Sequence, residues 1–260
     1  MRKEEGMLPA SDKFLSARVL DRREISSDLW VMRVDPGGEF KYLPGQYATL
    51  GVTVGEKRME RPYSIASSPH EKFLEFFVEL VPHGQLTPQL YDCHAGDPLT
   101  LRKAAKGHLT LDFSGPATNH FLIATVTGVC PFVSYVRHLQ NEWKESRFRG
   151  EHKLFLLQGA RRSPEFGYAD EFVRAAAESH WLNYVPTVSR PQEDKAWTGE
   201  LGRVDDLVRK YTDLWNLTPD NSRVYLCGHP GMIENTMGIV KRRGWRNDSI
   251  KQEAFFPMHD

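Results

Sequence analysis

The chain has 260 residues, 40% hydrophobic and 26% charged, with 34 lysines plus arginines against 34 aspartates plus glutamates. That is a globular composition with room for two modest domains, and zero net charge gives no general attraction to nucleic acid or an anionic membrane surface. No run approaches the ~18 apolar residues of a membrane span. The polar start, Met1 to Asp12, lacks the apolar stretch of a secretory signal, so a cytoplasmic location is expected. Cys93, Cys130 and Cys227 are far apart and odd in number. They encode neither a disulfide framework nor an iron–sulfur centre, and no metal site is expected.

From Phe14 to about Phe113 short extended segments alternate with turn chemistry. Val19 to Ile25, Leu29 to Val34, Gln46 to Val52, Arg58 to Ser67, Phe73 to Val81 and Pro98 to Leu101 read as strands. Pro36-Gly37-Gly38, Pro44-Gly45, Gly55 and Gly96-Asp97 separate them. Leu86 to Cys93 is the one helix-like interruption, too short for a crossover, so an antiparallel barrel is predicted. After Gly115-Pro116 the rhythm changes. Phe121 to Val126, Leu154 to Leu157, Tyr184 to Val188 and Val224 to Cys227 read as strands. The helical patterns Phe132 to Lys144, Tyr168 to Ser179, Val204 to Tyr211 and Met232 to Arg243 follow them in turn, and Gly244 stands at a helix end. Alternating strands and helices predict a Rossmann-like α/β domain with a parallel sheet. The domains are placed at 1–115 and 116–260.

Arg61-Pro62-Tyr63-Ser64-Ile65-Ala66-Ser67-Ser68-Pro69 is the first segment with chemistry in it. A flavin needs a flat partner for its ring, a hydrogen-bonding group near N5 and positive charge for its phosphates. Alternation along one strand puts Arg61 and Tyr63 on one face and Ser64 on the other. The segment resembles the RxYS motif of the ferredoxin–NADP reductase family. Downstream, Phe77 to Thr87 resembles that family's second flavin segment, in which a GxxT or GxxS opens a short helix, here Gly84 and Thr87. A glycine admits a phosphate to the backbone, and a helix start offers free N–H groups. The resemblance implies that Arg61 neutralises the pyrophosphate, Tyr63 packs on the flavin and Ser64 bonds near N5. Pro62, Val78 and Leu86 complete the expected FAD contacts.

Thr125-Val126-Thr127-Gly128-Val129-Cys130-Pro131-Phe132 resembles the family's TGTGxAPF turn, which brings a pyrophosphate onto a helix start. Val126 stands in place of the first glycine and Cys130 in place of alanine. A β-branched residue resists positive φ, so a shifted turn and weakened dinucleotide binding are expected. Cys227-Gly228-His229-Pro230-Gly231-Met232 resembles the family's CGxPxM element, which implies Cys227 beside the nicotinamide as a neighbour of hydride transfer, not a nucleophile. Thr127, Gly128, Gly228 and Met232 are the implied dinucleotide contacts. An extra 2′-phosphate calls for arginine. Arg161-Arg162, Ser189-Arg190 and Arg203 stand at matching points, which favours NADPH over NADH.

By the same resemblance an aromatic near the chain end covers the flavin. Phe255 aligns with it, and Phe256 is assigned to the same FAD site. Ser64, Cys227 and Glu253 form the implied catalytic set. The resemblance implies an FAD enzyme that takes hydride from NADPH and passes single electrons to a separate carrier, ferredoxin or flavodoxin, as a monomer. An NADH-using reductase component of an oxygenase and a flavin-holding sensor or relay module stay open as alternatives. Two basic clusters are candidate docking surfaces: Lys241-Arg242-Arg243-Gly244-Trp245-Arg246, and Arg102, Lys103 and Lys106.

Overall fold

The structure is a computed structural model and describes residues 13–255. Its first half is one antiparallel sheet of β1 (Phe14–Glu24), β2 (Leu29–Asp35), β3 (Tyr47–Val54), β4 (Lys57–Ser64), β5 (Leu74–Glu79) and β6 (Pro98–Arg102), in the order β4-β3-β6-β1-β2-β5. The Ala66 N–H donates to the Glu75 carbonyl at 2.8 Å, which draws the segment after β4 against β5 and curls the two edges together. Leu74 to Val78 are all buried, whereas Glu79 and Val81 beyond them are exposed. Trp30, Leu50, Ile65, Phe76 and Leu101 fill the barrel, and α1 (Thr87–Tyr91) plugs it with Leu90.

The second half is a parallel sheet of β7 (Asn119–Thr125), β8 (Lys153–Ala160), β9 (Leu182–Val188), β10 (Glu200–Leu201), β11 (Ser222–Gly228) and β12 (Ile250–Ala254). Its order is β10-β9-β8-β7-β11-β12. Helices α2 (Cys130–Lys144) and α3 (Ala169–Glu178) cover one face, α4 (Val204–Leu214) and α5 (Pro230–Arg242) the other. β7 divides its side chains accordingly, Leu122 and Ala124 to the first face and Phe121 and Ile123 to the second. The chain leaves β7 in one direction and returns to its other side at β11. The switch point therefore lies between them, where open α/β sheets bind ligands at the carboxyl ends of strands. The sequence pattern misses β10 and β12. β10 has two residues, and β12 (IKQEA) is an edge strand with no apolar run.

The two halves share a continuous interface. Phe77, Leu29 and Val31 of the barrel pack with Cys130, Phe132 and Val133 of α2, and Ser134 Oγ donates to the Ser67 carbonyl at 2.7 Å. Glu75, 1% exposed, receives Arg137 at 2.9 Å, Arg33 at 2.7 Å and the Tyr168 hydroxyl at 3.0 Å. Burial alone would push its carboxyl up. Arg137 and Arg33 outweigh that and hold it below the ordinary value, so this buried charge is paired on every side.

Candidate active site

The three expected catalytic residues converge where the barrel meets the switch point. Ser64, at the end of β4, donates from Oγ to Glu253 Oε1 at 2.8 Å. Glu253 lies on β12 in register with Cys227 on β11, so both side chains face the same way. Burial raises the Glu253 carboxyl above its ordinary value, and the Ser64 hydroxyl only partly offsets this. The buried Cys227 thiol is pushed well up by desolvation, with Glu253 adding to it. Desolvation therefore favours the neutral thiol over the thiolate, which is the nucleophilic form. Gly107 borders the same spot: a β-carbon built there would lie 3.3 Å from Glu253 Oε2.

The flavin-motif residues lie on and around β4, an edge strand, which accounts for an exposed Pro62 within it. The Arg61 guanidinium donates to the Glu60 carbonyl at 2.7 Å. Among the described residues no carboxylate pairs with it, so it fits an anion. Tyr63 packs edge-on against Phe76 at 6.4 Å. The Thr87 hydroxyl accepts from the Val81 N–H at 2.9 Å and donates to the Val81 carbonyl at 3.2 Å. These bonds close the loop around Gly84, where a β-carbon would crowd Val81 and Thr87 at 3.1–3.3 Å. Lys57 reaches Gln85 at 3.4 Å and sets this loop beside the β4 hairpin. The Val78 and Leu86 side chains are in the barrel core, so these positions offer a ligand only backbone. Phe255 donates its N–H to the Gly228 carbonyl at 2.9 Å and is half-buried; Phe256 lies outside the described residues.

On the dinucleotide side, a 3₁₀ turn, Val126–Val129, carries β7 into α2. The expected shift of this turn is not what the structure shows. Val126 sits at φ 42°, the left-handed conformation a glycine would take, with its side chain packed between two core clusters. Gly128 is required for space: a β-carbon would meet the Cys227 carbonyl oxygen at 2.4 Å. Thr125, which sequence reasoning passed over, ties the two turns together. Its hydroxyl accepts from the His229 N–H at 2.8 Å and leaves the first amides of the 3₁₀ turn without a side-chain cap. A polar residue just before a small-residue turn was the available signal. These uncapped amides, beside buried Thr127 and Gly128, suit a phosphate.

The four arginines divide. Arg161 extends across the interface to Asp28 and Glu79 at 3.6 and 3.9 Å and to Glu165 at 3.3 Å. Arg162, Arg190 and Arg203 are exposed and, among the described residues, paired only with nearby acids, Glu165, Glu193 and Asp205, at 3.5, 3.5 and 3.2 Å. Backbone bonds from Ser189 to Ala160 and from Arg190 to Arg161, both 3.0 Å, hold the β8 and β9 loops together. Met232 is in the core under α5 with Thr236 against its sulfur, so it supports the helix.

A barrel with an anion-ready edge strand, joined to a parallel sheet with two tight turns at its switch point, defines a two-domain flavin–nicotinamide oxidoreductase. Two family descriptions match, an oxidoreductase FAD-binding domain over residues 16–111 and an oxidoreductase NAD-binding domain over residues 122–237. The ferredoxin–NADP reductase of Pseudomonas aeruginosa is 31% identical over 243 residues, covering 85% of this chain and 89% of that protein. Ferredoxin–NADP reductase A of Sorangium cellulosum is 30% identical over 257 residues, 91% and 88%. A ferredoxin NADP+ reductase from Neisseria gonorrhoeae, solved with bound FAD and NADP, shares the fold at a TM-score of 0.81 with 24% identity, covering 95% of this chain and all of that one. The chain belongs to the ferredoxin–NADP reductase family.

Proposed function

We propose that this enzyme holds FAD in its barrel half and NADPH in its α/β half, and passes electrons to ferredoxin or flavodoxin. The observation that carries the reading is the Ser64–Glu253 contact of 2.8 Å, beside Cys227 and at the meeting of the two nucleotide-binding edges. Bound flavin supplies hydride acceptance and single-electron release; the protein supplies orientation and electrostatics. Arg61 and the amides of the Gly84–Thr87 loop hold the FAD phosphates, with Pro62, Tyr63, Val78, Leu86 and Phe255 around the rest of the cofactor. Ser64 Oγ points at the half-buried Glu253 carboxylate, which can keep a proton near the reacting face. Neutral, buried Cys227 limits water there. Thr127, Gly128 and Gly228 receive the coenzyme pyrophosphate, and Arg162, Ser189, Arg190 and Arg203 read the 2′-phosphate. Arg161 serves the interface between the halves.

Of the two basic clusters, the one on the barrel faces the carrier in this proposal. Arg102, Lys103 and Lys106 are exposed, with Arg102 bonded to Glu60 at 2.6 Å, and they lead directly into Gly107 beside Glu253. The other run closes α5, a helix of about 20 Å whose opposite end begins at the Gly228 turn. There Arg243 pairs with Asp213 and Arg246 with Asp248, and Trp245 is buried. Residues 1–115 and 116–260 are the two functional halves, and the unit is a cytoplasmic monomer; no described helix is long and apolar enough to cross a membrane. The test is to mix FAD-loaded protein anaerobically with limiting NADPH or NADH and follow the visible absorbance of oxidised flavin. Rapid loss with NADPH, followed by salt-sensitive reduction of added ferredoxin or flavodoxin, is expected. Flavin that neither coenzyme bleaches overturns the reading.

A further inference from the structure

About two turns along α2 from the coenzyme turn, a histidine of the barrel meets two residues of the helix. His70 lies in the β4–β5 connection; His138 and Glu142 are one helical turn apart and share a face. His70 Nε2 is 3.1 Å from His138 Nδ1 and 3.1 Å from Glu142 Oε1, and one ligand atom from each residue lies within 4.8 Å of the others. The two imidazoles are nearly parallel, 5.1 Å between centres and 17° between planes. Ligand bonds of ~2.1 Å around a tetrahedral ion leave ligand atoms roughly 3.4 Å apart, so the two 3.1 Å pairs open by a few tenths of an ångström and the third, within 4.8 Å, adjusts by side-chain rotation to admit one.

The donor set selects the ion. Two imidazoles and one carboxylate suit zinc and similar borderline divalent ions, whereas magnesium and calcium require oxygen ligands. Three protein ligands leave a fourth place for water, and His70 is exposed enough to admit the ion. The charge balance also favours a cation. Arg147 is shared between Glu142 and Glu145, two carboxylates to one guanidinium. Arg147 orients the Glu142 carboxylate through both oxygens, Nε on Oε2 at 2.8 Å and Nη2 on Oε1 at 2.7 Å, and Oε1 also faces His70.

We propose that His70, His138 and Glu142 form a site for zinc or a closely similar divalent ion that clamps the barrel to the α/β half. The ligands come from both halves, so an ion bound to all three favours their docked arrangement by mass action. It lies away from Ser64, Glu253 and the coenzyme turns, so it acts on stability and not on hydride transfer. Reading the sequence by cysteine spacing could not find it, because His70 is 68 residues from His138.

The experiment uses tag-free, FAD-loaded, chelator-treated protein, titrated with Co2+ for its visible spectrum and then with Zn2+ in competition. One ion per chain is expected, with a rise in the thermal midpoint that the same concentration of Mg2+ does not give. His70→Ala and His138→Ala should each weaken binding roughly tenfold or more and abolish the thermal shift, while NADPH-dependent flavin reduction stays unchanged. His70→Ala is on an exposed connection and keeps the test valid if the helix variant folds poorly. Wild-type protein without Zn2+ binding, or binding that survives both substitutions, overturns the proposal.

Discussion

Two turns meet at the switch point, and they reach left-handed backbone by opposite means. At the end of β11 a glycine does so, Gly228 at φ 127°; at the end of β7 a valine does so, Val126 at φ 42°. The difference is one of space. A β-carbon on Gly228 would lie 2.2 Å from Thr125 Oγ1 and 3.1 Å from that residue's backbone N and O, so nothing but glycine fits. Val126 has room on the protein side and fills it, packing against both the α2 core and the small cluster around Phe166 and Val188. A positive φ therefore demands glycine only where the neighbouring chain is also in contact. Elsewhere, packing can offset a strain of about 1–3 kcal/mol.

Gly228→Ala is the harshest test of that contrast. It adds both the conformational cost and the collision with Thr125, and a loss on the order of 3 kcal/mol or more is expected. For a chain of this size each kcal/mol lowers Tm by roughly 2–4 °C. A variant that melts with the wild type would mean the two turns are not distinguished by space at all.

If the turns serve the pyrophosphate, which both coenzymes carry, discrimination must come from the neighbouring loops. Replacing Arg162 and Arg190 together with alanine should raise KM for NADPH at least tenfold and leave KM for NADH nearly unchanged, since each charge-assisted contact is worth about 1.5–3 kcal/mol. Equal losses for the two coenzymes would return the arginines to a purely structural role.

Beneath Gly228, burial tunes a group as strain tunes Val126. The Glu253 carboxyl is raised from 4.5 by desolvation, so the folded state holds its proton more tightly than the unfolded one. Its contribution to stability is full below pH 4.5 and is lost as pH rises through the elevated value. Glu253→Gln keeps an acceptor for Ser64 and removes that loss. Urea melts should find the variant more stable than wild type at neutral pH, with the gain fading on acidification. A gain independent of pH would show that Glu253 is not held in a desolvating place, and steady-state rates should fall in the same variant.

The legible parts of this molecule are those in which a local pattern carries its own physical reason. Strands β1 to β9 and all the longer helices announced themselves by period and turn residues, whereas Ser64, Cys227 and Glu253 were named through the family resemblance and not from a local pattern. What stayed hidden depends on pairing at a distance. β12 is visible only by its register on β11, Thr125 matters only because His229 lies against it, and Arg161 reads as a phosphate ligand until Asp28 and Glu79 arrive from the barrel. The turn at Val126 was misread for a related reason. The rule against positive φ for a β-branched residue is local, whereas the packing that offsets it is contributed by residues up to about sixty positions away.

Val126→Gly is the smallest and most discriminating change. Glycine relieves a left-handed cost of about 1–2 kcal/mol, loses the packing of a half-buried valine, about 1 kcal/mol on an area basis, and adds unfolded-state entropy of roughly 0.5–1 kcal/mol. These nearly cancel, so Tm should move by only a few degrees, with the loss slightly ahead. Val126→Ala separates the contributions: it keeps most of the strain and loses most of the packing, so it should be less stable than the glycine variant. Coenzyme binding gives the functional side of the same argument. Val126 already holds a positive φ and its side chain packs against two core clusters, so Val126→Gly should leave NADP affinity within about threefold of wild type, read from the difference spectrum of bound flavin. A glycine variant that binds NADP tenfold more tightly would show that the valine side chain narrows the pyrophosphate approach after all, and that the Val126 turn differs from the Gly228 turn in function as well as in packing.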